Sequence, residues 1–341
     1  MKPTFIALCL CLPLASADKQ EQRGALIPPE LVAAKKTYDE GKYKEASLLF
    51  AKELIREQNK LRPSWEKLAH LNNQVGVCLL HTGLYDRALA FSKKSLEIRL
   101  KHLRPEHLEV VASYNNIGGA HLKKGEFDKA LKSFNKSLVI QIKHLGRDHP
   151  NVAISYNNIG NVHLNKAGAG FGRGEYAKAL EFFEKALAMD LKKLGPNHIN
   201  LIYSYNNIGE IHRANFKPKK ALEFYKKALA IMLKKMGPTH PAVATAYNNI
   251  GLAHDGNGDW VGALKSYQKS LAISIKQLGG DHPNVAKTYN AMANGYAFYE
   301  KGSPKAKMYY EKALAIRLKK LGPNHPSTKQ TKAFLDRLPK E

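Results

Sequence analysis

Histidine is the side chain in this sequence best able to do chemistry, and its spacing decides what it can do. There are 14. Four stand in register, His121, His163, His212 and His254, each three residues after the glycine of a recurring string; Tyr296 takes that place in a later copy. A row of imidazoles could hold a metal or relay protons. Members of successive repeats would lie about 10 Å apart at ordinary helix packing distances, whereas zinc draws its nitrogen ligands to about 2.1 Å. The row is therefore expected to pack between helices, and an enzyme built on it is the weaker reading. A second row, His107, His149, His198, His240, His282 and His325, falls beside the expected helix caps and reads as structural because it too is periodic.

Two other features invite a chemical reading. The run from Ala167 to Gly174 is glycine-rich. Its glycines alternate, no Lys-Ser or Lys-Thr follows and no strand pattern precedes it, so it lacks a phosphate-binding loop's parts. It reads as a surface loop with Phe171 and Arg173 at its tip. Cys78 is the one cysteine beyond the first 17 residues. It is expected to be a small buried apolar residue. No nucleophile–base pair survives either, so neither catalysis nor a cofactor is expected.

The elements that must position these residues are set by one string. Tyr156-Asn157-Asn158-Ile159-Gly160 returns at Tyr114–Gly118, Tyr205–Gly209 and Tyr247–Gly251, with looser copies at Asn72–Gly76 and Tyr289–Ala293. The interval is 42 residues, except one of 49. A fixed period of this length means a repeat architecture. Apolar residues recur at intervals of three and four, as Ala130, Leu131, Phe134, Leu138, Ile142 and Leu145 do, which marks one buried helical face. Glycines follow the second helices at Gly146, Gly195, Gly237, Gly279 and Gly322, where a left-handed residue closes a helix. Ser64, Glu106, Asp148, Asn197, Thr239, Asp281 and Asn324 are the expected N-cap row. The reading is all-α: seven helix pairs at about 30–61, 64–103, 106–145, 148–194, 197–236, 239–278 and 281–321, within an array over 30–323. A polar capping helix is expected over 324–341.

The Tyr-Asn-Asn-Ile-Gly run, the turn glycine and the Ala130–Phe134 spacing together resemble the tetratricopeptide repeat. The joint pattern Leu-Gly-Pro-x-His-Pro-x-Val-Ala, carried best by Leu145–Ala153, Met236–Ala244 and Leu278–Ala286, resembles the long form found in kinesin light chain and nephrocystin-3. The resemblance implies an α-solenoid, a right-handed superhelix whose first helices line a concave groove. It also implies a scaffold binding a peptide or protein there. On that footing the first amide of each pair, Asn73, Asn115, Asn157, Asn206, Asn248 and Asn290, is expected to project into the groove, since an amide can both donate and accept. The second amides are expected to tie repeats together. Leu122, Leu164 and Arg213, one turn on, are expected to add specificity, the groove running from apolar to polar. Kinesin light chains place a coiled coil before their repeats, and here a different segment stands there.

That segment reads as a secretory signal peptide: Lys2, an apolar run Phe5–Leu14, then Ala15-Ser16-Ala17 as a cleavage site. Residues 18–29 read as a loose lead. The expected location is secreted or periplasmic, with cutting near Ala17; the alternative is cytoplasmic. No later stretch is long and apolar enough for a transmembrane segment. Lys plus Arg outnumber Asp plus Glu by 54 to 29, a net +25, which favours an acidic partner. The aromatics occupy core positions, so nucleic acid is not an expected partner. The alternative function is binding of an anionic polymer or membrane surface through a lysine-rich convex face.

Overall fold

A computed structural model describes residues 29–338. The expected signal peptide, and all of the lead but its last residue, lie outside the described residues. The described residues divide into two compact units, the first ending at Leu194 and the second beginning at Gly195. Among the described residues there are 15 helices and no strand.

The first unit holds α1 (Pro29–Asp39), α2 (Tyr43–Gln58), α3 (Trp65–His81), α4 (Tyr85–His102), α5 (Val110–Lys123), α6 (Phe127–Leu145), α7 (Pro150–Gly168) and α8 (Gly174–Leu194). The second holds α9 (Leu201–Ala214), α10 (Pro218–Met236), α11 (Pro241–Gly256), α12 (Trp260–Leu278), α13 (Pro283–Tyr299), α14 (Pro304–Leu321) and α15 (Pro326–Leu335). Within each unit every helix packs chiefly on the helices before and after it in sequence, as a solenoid of helix pairs does.

Small residues set how closely the paired helices approach. Ala88, Ala130, Ala179, Ala221 and Ala263 are fully buried where each second helix crosses its partner. The motif glycine receives an aromatic ring: a Cβ on Gly118 would meet the Phe134 ring at 2.8 Å, and one on Gly160 the Phe183 ring at 2.8 Å. The motif isoleucines Ile117, Ile159, Ile208 and Ile250 are core residues. The motif tyrosines are mostly half-buried instead, and Tyr114, Tyr205, Tyr247 and Tyr289 are each roofed by a lysine from the second helix. Lys136 Nζ lies 5.3 Å from the Tyr114 ring centre, Lys269 Nζ 5.2 Å from that of Tyr247 and Lys312 Nζ 5.7 Å from that of Tyr289. A lysine stem covers the ring while its ammonium stays in water.

The helix starts correct the sequence reading. The cap is the histidine, one residue beyond the expected row. His149, His240, His282 and His325 each accept the backbone N–H two residues on through Nδ1, at 3.1, 3.1, 3.1 and 3.2 Å. Proline follows each of them at the first helical position. Where no proline follows, at His107 and His198, the same bond forms but the α-helix begins later, at Val110 and Leu201. Ser64 alone of the expected row caps through its own side chain, accepting from Lys67 N–H at 3.2 Å. The acids of that row bind lysines instead: Asp148 holds Lys192 at 3.2 Å, Glu106 holds Lys143 and Asp281 holds Lys319.

Candidate functional site

The face presented by the first helices is where the sequence placed recognition. Asn73, Asn115 and Asn157 are buried. Asn73 Oδ1 accepts from Nδ2 of Asn116, in the next first helix, at 2.8 Å. In the second unit Asn206 and Asn248 are buried and Asn290 is half-buried. Asn248 accepts from the Thr288 hydroxyl at 3.4 Å, and Asn290 from Thr331 at 2.9 Å and Arg317 at 3.1 Å. The expectation that these first amides stand out into a groove is therefore corrected. Most are buried, and the oxygens of Asn73, Asn248 and Asn290 join one repeat to the next. Leu122 is buried in a core cluster with Ile159 and Val162 of the following first helix, and Leu164 is buried as well.

A buried polar seam between several second helices and the first helix that follows was not read from the sequence. Arg99 Nη1 donates to Ser95 at 2.5 Å and to Ser113 at 2.6 Å. Ser155 donates to Gln141 at 2.5 Å. Arg317 donates to the Ser327 carbonyl at 2.9 Å and also to Thr331. The periodic position held by Arg99, Gln141 and Arg317 is Met232 in α10, and its counterpart in α11 is Ala246, both buried. Polar faces polar in these pairs and apolar faces apolar in the last.

The expected histidine row packs as rings, and three of its four members carry a carboxylate. His121 Nδ1 meets Glu126 at 2.6 Å, His163 Nδ1 meets Glu175 at 2.6 Å and His254 Nδ1 meets Asp259 at 2.7 Å. The His121 bond, with Lys129 and Lys124 beside it, holds the Glu126 carboxyl down at about 2. His212 instead tilts against Phe224, with ring centres 5.4 Å apart. Among the described residues no group of three or more His, Cys, Asp or Glu side chains is placed to hold a metal ion. The glycine-rich insertion lies against the fold: Phe171 stands edge-on to Phe127 at 5.7 Å, and Lys166 Nζ sits 5.3 Å from its ring centre.

In the second unit the first-helix face carries a charged cluster. Arg213, expected there from the sequence, is half-buried and binds Glu210 through two bonds, Nε to Oε2 at 2.9 Å and Nη2 to Oε1 at 2.6 Å. The Tyr225 hydroxyl donates to the same Oε2 at 2.9 Å. Lys287, from α13, is half-buried and close enough to feel both Glu210 and Arg213; burial pulls its ammonium down to about 8. Asp255 of α11 is half-buried, which raises its carboxyl. The Tyr267 hydroxyl is buried with no hydrogen-bond partner. Tyr310 gives its hydroxyl to Asn294 Oδ1 at 2.7 Å, and Asn294 is exposed.

The cluster gathers Glu210 and Arg213 from α9, Asp255 from α11 and Lys287 from α13. The Glu210 carboxylate is fully engaged by Arg213 and Tyr225. Lys287 makes no ion pair with a described carboxylate. Sequence reasoning found Arg213 but missed Lys287 and the tyrosines. Their signal was present: the second-helix aromatic is Phe134 and Phe183 in the first unit, but Tyr225, Tyr267 and Tyr310 in the second.

The profile described as tetratricopeptide repeat matches residues 66–143, 109–169, 161–234 and 242–319. No curated protein matches the chain. The fold is similar to BtubC (BKLC) from P. vanneervenii, at 22% identity and a TM-score of 0.58, covering 71% of this chain and 94% of that one. It is similar to the Rap conjugation gene regulator of plasmid pLS20, solved with the Phr* peptide, at 17% identity and a TM-score of 0.62, covering 92% of this chain and 76% of that one. It is also similar to the Pyrococcus horikoshii signal transduction ATPase with a tetratricopeptide repeat sensor, at 19% identity and a TM-score of 0.59, covering 91% of this chain and 43% of that one. At these identities the likeness is one of fold.

Proposed function

This chain belongs to the tetratricopeptide repeat family, and we propose that it is a non-enzymatic scaffold whose second unit receives an acidic segment of a peptide or protein on its first-helix face. One observation carries the reading. Lys287 is a desolvated cation on that face without a described carboxylate of its own. Burying an unpaired ammonium is unfavourable, and a ligand carboxylate would relieve it. Glu210 already saturates Arg213, so the pair gives a fixed wall and leaves Lys287 as the reactive end. The Rap structure with its Phr* peptide is a likeness of fold and sets only the context, a peptide held by a related architecture. The buried amide row serves the scaffold in this reading.

Selection from a random peptide display library against the folded protein tests the proposal. Acidic residues are expected to be enriched, and the selected peptides should bind Lys287→Met at least tenfold more weakly (about 1.4 kcal/mol). The sign with pH follows from the charge. The ammonium is present below about 8 and lost above it, so affinity for an acidic peptide should fall between pH 7 and 9. Selected peptides without acidic bias, or unchanged affinity in a folded Lys287→Met variant, would overturn the reading.

A further inference from the structure

We propose that the second unit also docks on an anionic lipid bilayer, through the edge formed by its three helix-to-helix turns at 215–217, 257–259 and 300–303. Each turn joins a first helix to its second helix. First helices alternate with antiparallel second helices, so these turns come together at one end of the unit. Contacts bear this out: a Cβ on Gly256 would lie 3.6 Å from Pro218, the Tyr299 hydroxyl donates to the Asp255 carbonyl at 3.1 Å, and the Trp260 and Tyr299 rings stack at 5.5 Å.

This edge exposes apolar side chains that the fold does not need there. Phe216 is 88% exposed, Phe298 70% and Val261 64%. Phe216 is also the one described non-glycine residue with a positive φ, 56°. The corresponding turns use Gly83, Gly125, Gly258 and Gly302, at φ 76° to 83°. A left-handed conformation is unfavourable for a phenylalanine, whose Cβ crowds the backbone there. Exposing its ring to water adds no compensating contact. Two unfavourable features at one residue point to a role outside folding. Trp260 and Tyr299, half-buried just behind the tips, are the ring types that settle at a membrane–water interface.

Charge identifies the partner. Lys217, Lys219, Lys220, Lys301, Lys305 and Lys307 are all exposed around Phe216 and Phe298. The same edge of the first unit is neutralised: Lys124 pairs with Asp86 at 2.5 Å, Lys166 with Asp128 at 3.3 Å and Lys178 with Glu175 at 3.1 Å. The position that supplies Asp86 and Asp128 in the first unit is occupied by Lys219, Val261 and Pro304 in the second. Thus the acids that would hold these lysines are replaced by more lysine and by apolar surface. Asp259 and Glu300 remain, and Asp259 is engaged by His254 at 2.7 Å. Apolar tips set among lysines fit a surface with both an anionic headgroup layer and an apolar interior, which a soluble polyanion lacks.

The test uses the full chain and vesicles of phosphatidylcholine, with or without about 30 mol% phosphatidylglycerol to supply anionic charge. Co-sedimentation is expected with the anionic vesicles and not with the neutral ones. Phe216→Gly should weaken vesicle binding roughly tenfold, from the loss of one inserted ring. The same change should leave the thermal midpoint equal or higher, because glycine fits the left-handed turn. Trp65→Phe leaves Trp260 as the only tryptophan of the chain's 2, and its emission should be quenched by lipids brominated in the acyl chain. Equal vesicle binding by Phe216→Gly and by Phe216→Gly/Phe298→Ser would overturn the proposal. So would heparin binding of the same strength that depends on the lysines alone, which would indicate a soluble polyanion, and so would unquenched Trp260 on bound vesicles.

Discussion

At Cys78 burial pushes the thiol up to about 12, and the side chain is walled by the core of α3 and α4. Thiolate is the reactive form, so a neutral thiol in an apolar wall is inert. Native protein at pH 8 should leave Cys78 unmodified by an aromatic disulfide reagent, with full reaction in denaturant; rapid labelling of the native form would contradict the burial. Single residues also show what a repeat period can and cannot disclose. The burial of Cys78 and of the motif isoleucines was legible, since each sits on an apolar stripe of period 3.6. The burial of Asn115 and Leu122 was not, because it depends on how closely the next first helix approaches, and no residue's own type records that distance. Lys287 was hidden for the opposite reason. Its counterparts are Ala112, Ile154 and Thr245, so nothing periodic announces it.

At the level of the helix, stability depends on neutral imidazole at the cap His282 and at His70 inside α3. His282 accepts a backbone N–H through Nδ1, and burial with Lys320 nearby lowers its pKa below the ordinary 6.5. His70 in α3, half-buried and facing Arg99, is lowered by burial to about 4. In both cases the unfolded chain takes up the proton at a higher pH than the folded one. Their stability contribution is complete above about 6.5 and is lost as pH falls through the folded values. Urea midpoints should therefore drop between pH 6.5 and 4, and His70→Gln should flatten that drop. A midpoint unchanged over this range would refute the assignment. Helix ends were the part of the fold read one residue out of place. Asp, Asn, Ser and Thr are the usual caps, but a proline at the first helical position lets the preceding histidine take the role, and the acids before it hold lysines instead.

Across the whole molecule the net charge of +25 governs the electrostatics. Like charges oppose a compact chain, and the exposed lysine pairs offset this only weakly. Raising ionic strength from about 20 to 300 mM shortens the screening length severalfold, so the urea midpoint should rise with salt; a fall would mean that surface ion pairs dominate. The repeat count and helix order were legible because stop and start signals recur at each joint. The seam between repeats was not, because it is a matching of two residues roughly 14 positions apart rather than a string. That seam bears on how such a gene can change length. A copy of 42 residues carries its own stop glycine, capping histidine and lysine-roofed tyrosine, so unequal recombination could add or remove one without spoiling those parts. The junction is another matter. Deleting the α11–α12 pair would bring Met232 against Thr288, an apolar key on a polar lock, whereas a crossover that joins Gln141 to Ser113 or Ser155 keeps the seam polar. The buried seam thus acts as a filter on recombination, deciding which neighbours a duplicated repeat can have.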